Sequence, residues 1–295
     1  MDTGIFEQWT QRTLAQVEAA LDAFVPADTP AGLGEVMRYS VLGGGKRLRA
    51  LLVMASCEAV GGQIEAALRA ACAVELIHAY SLVHDDMPCM DNDVMRRGKP
   101  TTHVQYGEAQ AMLAGDAMQA LAFEVLTPDS GVAPALQAQL CALLARSSGC
   151  AGMAGGQAID LASIGCTLDE ASLREMHRLK TGRLLQASVM MGVACGAVEP
   201  KAWSALNDYG AALGLAFQVV DDILDVTQDS SVLGKTAGKD QDANKPTYVS
   251  LMGLEPAQAL AQQLRCQSHD ALAASGLSNT AWLNMLADMV VERDN

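Results

Sequence analysis

Two clusters of aspartate lie at the ends of nonpolar runs in this chain. Leu82-Val83 stands just before Asp85-Asp86, and Phe217-Gln218-Val219-Val220 leads into Asp221-Asp222-Ile223-Leu224-Asp225. Carboxylates set against a nonpolar run are costly unless something pairs with them. In the second cluster Asp221 and Asp225 are four residues apart. On a helix that spacing is an offset of about 40° and a rise of about 6 Å, so both acids face one way. Acids this close repel one another unless a cation lies between them. A hard divalent ion such as magnesium suits such oxygen ligands and readily shares the phosphate oxygens of a substrate. Asp85 and Asp91 are six apart and cannot share one ideal helix face. Pro88 is expected to break the helix and bend Asp91 back towards Asp85. Either cluster alone also fits a solvated helix end; two in one chain favour metal.

Around these clusters the apolar residues recur at helical spacing. Helices are expected over Ile5–Phe24, Leu33–Leu42, Leu48–Val60, Ala66–His84, Val104–Leu126, Ala133–Ser147, Leu168–Gly196 and Lys201–Val226. Two weaker ones are expected near Pro256–Ala274 and Thr280–Val291. Half the residues are apolar but only 4% are aromatic, so Ala, Leu, Val and Met must fill the core. An all-α bundle of about ten helices follows, as one domain over residues 1–295. Two polar segments, Met90–Thr102 and Gln228–Thr247, each follow an aspartate cluster. Loops held by rigid helices are where chemistry tends to be placed.

The net charge of −14 argues against nucleic acid as a partner. The cations are gathered instead: Lys46, Arg47 and Arg49; Arg96, Arg97 and Lys99; Lys180 and Arg183; Lys235, Lys239 and Lys245. Gly43-Gly44-Gly45 feeds the first group into a helix start, where backbone amides with Lys46 and Arg49 are expected to favour a phosphate. The spacing is not that of a Walker loop. Acid followed by base in both loops suits a diphosphate bridged by metal on one side and cations on the other. The eight cysteines show no CxxC pair and read as buried thiols. With acidic Asp2 and Glu7 in place of a basic leader, and no apolar run judged long enough to span a bilayer, a cytoplasmic protein is expected.

Several segments then carry a likeness: GGGKRLR (43–49), LVHDDMPCMDNDVMRRGKPTTH (82–103), GGQAIDL (155–161), KTG (180–182), FQVVDDILD (217–225), and LGKTAGKD with NKPTY (233–248). In this order they resemble the trans-isoprenyl diphosphate synthases, and most closely the bacterial-type farnesyl diphosphate synthases. The likeness runs from about Tyr39 to Gly253. It implies the isoprenoid synthase fold, with two aspartate helices facing each other across a deep central cavity and about three magnesium ions per site. Asp85, Asp86, Asp91, Asp221, Asp222 and Asp225 would form the metal site, Asp85, Asp91 and Asp221 as ligands and the other three completing the acidic rims. Arg96 and Lys180 would hold an allylic diphosphate, helped by Lys235, Lys239 and Lys245. Lys46, Arg49, His78 and Arg97 match positions that bind isopentenyl diphosphate, although a histidine on an apolar face is otherwise a packed core residue. Thr181 and Gln218 would face a developing allylic cation. The implied chemistry is ionisation, condensation and elimination.

Tyr80 stands five residues before Asp85, beside Ser81. A bulky ring there is expected to floor the pocket and stop the growing tail. With the Pro88-Cys89 insertion this resembles enzymes that make the fifteen-carbon product, (2E,6E)-farnesyl diphosphate. Geranyl or geranylgeranyl diphosphate synthase is the alternative. Two other readings are a terpene cyclase, disfavoured by the DDILD form of the second cluster, and a noncatalytic partner subunit, disfavoured by two intact clusters. A homodimer is expected from the family likeness.

Overall fold

A computed structural model describes residues 3–165, 168–227 and 247–293. The chain opens with α1 (Thr3–Phe24), α2 (Leu33–Val41), α3 (Leu48–Ala59) and α4 (Ile64–Asp85). In α4 the alanines at 66, 67, 70, 71 and 73 are buried together with Cys72, Val74, Leu76 and Ile77. Small side chains let neighbouring helices come close, and α4 packs against α3 and against the helix over residues 108–126. By length and composition α4 could cross a membrane, which the sequence reading overlooked, but 67% of its apolar window is buried inside the protein. It is the central core helix.

Where one helix was expected from Val104 to Leu126, there are two, α5 (Thr102–Tyr106) and α6 (Glu108–Leu126). Gly107 separates them at φ +87°, a conformation that residues with a Cβ rarely adopt. Pro134 begins α7 (Pro134–Ser148), where its missing N–H costs nothing. Next comes α8 (Met153–Ala162), which is not among the expected helices. The expected helix from Leu168 to Gly196 is α9 (Glu170–His177), one π-helical turn over Arg178–Gly182, and α10 (Arg183–Ala194). Asp169 caps α9 by accepting from the Ser172 amide at 2.8 Å. The longest helix, α11 (Pro200–Thr227), carries the second aspartate cluster. A Thr247–Ser250 capping box starts α12 (Tyr248–Met252), which was not anticipated. The described chain closes with α13 (Leu254–Ser275) and α14 (Ala281–Val291).

Among the described residues the only β-structure is a hairpin of two-residue strands, Met95–Arg96 with Lys99–Pro100. Its turn is Arg97-Gly98, both at positive φ, as the twist of a tight hairpin requires. The main core joins α1, α3, α4, α6 and α10 through Leu21, Leu51, Leu52, Leu76, Ile77, Met118 and Leu184. Truncating one of these leucines to alanine costs about 2–5 kcal/mol. A smaller cluster lies under the second acidic segment, where Leu173 and Met176 of α9 meet Val219, Val220 and Leu224 of α11, Tyr248 of α12, and Leu264 of α13. These two cores hold the ends of α4 and α11 in place.

Candidate active site

The first acidic rim is made by the expected bend. α4 ends at Asp85, and the Asp91 amide returns to the Asp85 carbonyl at 2.9 Å. The Asp93 amide reaches the Asp86 carbonyl at 3.1 Å, with Asn92 at φ +52° taking up the turn. Burial, with Asp91 and Asp86 nearby, pushes the Asp85 carboxyl up to about 6, although Lys180 and Arg96 pull it down. That is a carboxylate lacking enough positive charge. Asp86 is differently engaged. It is buried and accepts three bonds from Arg96, two from Nε at 2.9 Å and one from Nη2 at 2.6 Å. Burial works against the Arg96 charge, yet Asp86 holds its pKa above the usual range. The hairpin thus presents Arg96 at the rim, braced by a Tyr39 hydroxyl bond to the Pro100 carbonyl at 2.7 Å.

On α11, Asp222 and Asp225 are buried while Asp221 is half-exposed. Asp222 accepts from the Tyr248 amide at 2.8 Å and from Gln218 Nε2 at 3.0 Å. Gln218 Oε1 in turn accepts from the Thr181 hydroxyl at 3.1 Å. Behind them His177 is buried, stacked on Tyr248 with ring centroids 5.5 Å apart and 3.9 Å from Asp222. Burial pushes the His177 pKa down to about 4, so the ring is neutral.

The π-helical turn explains how Lys180 and Thr181 leave an apolar helix to face the site. One extra residue in the turn rotates them outward. A Cβ on Gly156 would lie 2.1 Å from the Lys180 amide, so only glycine lets α8 approach this closely. Lys180 Nζ donates to buried Asp160 at 2.6 Å. Sequence reasoning assigns Asp160 no role; the signal for it is an acid four residues after Gly156 on a helix facing the KTG turn.

Two cavities meet here. One of about 390 Å³ runs from Asp85 and Lys180 past Tyr80 and Ser81 to Met153, Ala154 and Ala158 of α8. The other, about 920 Å³, is lined by Lys46, Arg49, Arg97, Phe217 and Arg293. Arg49 and His78 line both, so the apolar cavity and the cationic pocket share a wall. Burial with nearby Arg49 and Arg97 drives His78 well below its usual pKa, leaving a neutral imidazole. Lys46, Arg49 and Arg97 are all lowered, first by burial and then by a neighbouring cation. Glu75 and Asp221 offset this in part, and a cluster of cations still lowered overall suits an anion. Gly45, at φ +133°, lies against the Arg97 guanidinium, which donates to the Gly44 carbonyl. The amides of α3 are less available than expected: Glu75 accepts from the Ala50 amide at 3.1 Å and also pairs with Arg47.

Lys235, Lys239 and Lys245 lie outside the described residues. Among the described residues no three acidic, histidine or cysteine side chains converge as a preformed metal cage. This suits magnesium, which commonly takes one or two carboxylates and completes its shell with water and phosphate. Crowded, under-compensated Asp85 supplies the fitting donor.

A family model described as polyprenyl synthetase matches residues 30–275. The chain belongs to the polyprenyl synthetase family. It is 47% identical over 295 residues to geranylgeranyl pyrophosphate synthase 9, chloroplastic, of Arabidopsis thaliana, covering 98% of this chain and 82% of that protein. An FPP/GFPP synthase from Zymomonas mobilis superposes with a TM-score of 0.88 at 39% identity, covering 98% of this chain and 100% of that one. A Helicobacter pylori geranyltransferase complexed with magnesium and isoprenyl diphosphate gives 0.84 at 33% identity, covering 96% and 95%. These structures bear out the all-α fold and the trans-isoprenyl diphosphate synthase resemblance.

The expectation of a farnesyl diphosphate synthase is overturned. Relatives at 42–47% identity over nearly the whole chain bear geranylgeranyl pyrophosphate synthase names. The sequence reading took account of one wall of the tail cavity and not of α8. The expected floor rested on Tyr80 and the Pro88-Cys89 insertion, whereas the cavity beside Tyr80 is also walled by α8, through Met153, Ala154, Gln157, Ala158 and Leu161. Tyr80 itself is half-buried and stands edge-on to His84, with centroids 5.7 Å apart.

Proposed function

We propose that this chain is a geranylgeranyl diphosphate synthase, a prenyltransferase that adds isopentenyl diphosphate to allylic diphosphates until a twenty-carbon chain is made. The observation that carries the reading is the shared wall: Arg49 and His78 border both the cationic pocket and the apolar tail cavity. A nucleophile whose diphosphate sits in the first pocket would therefore have its double bond beside the head of a tail lying in the second.

Asp85, Asp91 and Asp221 would hold magnesium. When bound, magnesium neutralises the diphosphate as it leaves. Lys180 and Arg96 grip the allylic diphosphate, Lys180 exchanging Asp160 for a phosphate oxygen. As the allylic C–O bond breaks, Gln218 and Thr181 direct their oxygens at the positive carbon, the amide being oriented by Asp222. Lys46, Arg49, Arg97 and neutral His78 bind isopentenyl diphosphate. Its double bond attacks the cation, and a proton leaves to the departed diphosphate, so no side chain need act as base. The apolar cavity keeps water from quenching the cation.

The protein works in the cytoplasm as a single 1–295 domain and as a homodimer. The exposed Met112 and Leu113 of α6, with Val104 of α5, support a second copy as the covering surface. Light scattering should give the dimer mass. The deciding experiment is purified enzyme with magnesium, radiolabelled isopentenyl diphosphate and dimethylallyl, geranyl or farnesyl diphosphate, followed by product sizing. A twenty-carbon end product is expected. No incorporation, or hydrocarbon from farnesyl diphosphate alone, would overturn the transferase reading, and arrest at fifteen carbons would overturn the length.

A further inference from the structure

Arg47, the residue before α3, stands in the left-handed region at φ +48° and ψ +34°. A residue with a Cβ seldom holds that conformation unless its surroundings enforce it. Gly44 and Gly45, also at positive φ, need no such support. The enforcement on Arg47 is visible. Its side chain is 4% exposed, and Nε donates to Glu18 of α1 at 2.7 Å while Nη1 donates to Glu75 of α4 at 3.3 Å. Nη2 donates to the Val41 carbonyl at the end of α2. Glu75, itself 2% exposed, divides its two oxygens. One accepts from Arg47 and the other from the Ala50 amide, in the first turn of α3, at 3.1 Å. A buried carboxylate is thus fixed to both sides of the step from loop to helix. Lys46 and Arg49 stand on that step, and His78 lies three residues beyond Glu75 on the same face of α4. All three line the cationic pocket. Burial lowers the pKa of Arg49 and of Arg97, and the Glu75 charge opposes that fall in both.

We infer that Glu75 is a positioning residue: with Arg47 as its strut it clamps the loop-to-helix step, so that Lys46 and Arg49 meet the diphosphate of isopentenyl diphosphate. The inference rests on the proposed prenyltransferase function and adds to it a carboxylate that touches no substrate. Electrostatics alone gives the opposite sign. Glu75 is a negative charge beside a pocket for an anion, so its removal would by charge alone tighten binding. If Glu75 holds the cations in place, its removal weakens binding instead.

Glu75→Gln keeps the shape and removes the charge. Arg47→Gly removes the strut, while glycine takes the same φ freely. Isopentenyl diphosphate does not react without an allylic partner, so its binding can be followed alone by calorimetry in magnesium buffer. For Glu75→Gln the affinity should fall about tenfold, within the hundredfold that a misplacement of about an ångström can cost. The KM for isopentenyl diphosphate should rise in parallel, and that for the allylic substrate should stay within about twofold. Arg47→Gly should show the same split. The double variant should be no worse than the weaker single one, within about twofold, because the two residues act as one unit. Unchanged or tighter isopentenyl diphosphate binding in Glu75→Gln, an equal rise in both KM values, or losses that multiply in the double variant would overturn the inference. Should Glu75→Gln fail to fold, Arg47→Gly decides by the same split between the two substrates. A wild-type enzyme that incorporates no isopentenyl diphosphate would sink the prenyltransferase reading itself; a working wild type indifferent to both substitutions would sink this inference alone.

Discussion

The two acidic rims share a sequence pattern, two adjacent aspartates after a nonpolar run, but are built differently. At the first, the helix stops and the chain loops back, so that the Asp91 amide bonds the Asp85 carbonyl. At the second the helix continues and the acids are spaced by its pitch. In each pair one carboxylate is part-exposed and its neighbour is buried. Asp86 braces the permanently charged Arg96, whereas Asp222 ties together Gln218 and the Tyr248 amide and has a neutral histidine behind it. On the proposed function a doubled acid thus divides into two jobs, one chemical and one structural. The structural partner differs because one rim is a loop needing a cross-link and the other a helix needing a packed back.

That division can be broken by substitution. Asp85→Asn should cut kcat/KM by about a thousandfold or more, roughly 4 kcal/mol of transition-state stabilisation. Its thermal midpoint at neutral pH should hold or rise, since a crowded carboxylate has been removed. Asp86→Ala should lower stability by about 2–3 kcal/mol by stranding the Arg96 charge, with some relief because Arg96 is partly exposed. Denaturant melts of both variants check this, and equal destabilisation would erase the distinction. At the second rim Asp222→Ala should lose about 2 kcal/mol, leaving the buried Tyr248 amide unsatisfied. Its kcat should fall while magnesium half-saturation stays near wild type; a large magnesium shift would make Asp222 a ligand after all. Tyr80→Ala, on the first rim's helix, should move the product distribution about tenfold towards chains longer than twenty carbons, as read by chromatography.

Much of this was legible in the sequence because charge beside a nonpolar run is a local signal. The clusters, the Pro88 bend and the hairpin's Arg96-Arg97-Gly98 could all be placed from neighbouring residues. What could not be read was who faces whom. The α8 helix was not expected, and its glycines make sense only in three dimensions: Gly156 lets Lys180 approach, and Gly155 lies against the Cys150 backbone. Asp86 and Asp222 look like Asp85 and Asp221 in the sequence, and only burial and partners separate them. Arg293 lies 72 residues from Asp221, too far for any spacing rule to connect.

Acid offers the finest test of the comparison, because the two rims should respond with opposite signs. His177 has a folded pKa of about 4, below its ordinary 6.5, so the unfolded chain binds the proton first. Stability from that group is complete above pH 6.5 and declines as pH falls towards 4. Asp85 is reversed: its folded pKa of about 6 exceeds the ordinary 3.8, so the folded protein takes the proton first and gains stability as pH falls from 6. Between pH 7 and 5, metal-free, the histidine should cost about 2 kcal/mol and the aspartate return about 1.4, leaving wild type nearly flat. His177→Gln should therefore become more stable at pH 5 than at pH 7, and Asp85→Asn less stable, in urea melts with chelator present. If both variants keep the wild-type slope, the inward histidine and the crowded aspartate do not carry the electrostatic roles that set the two rims apart.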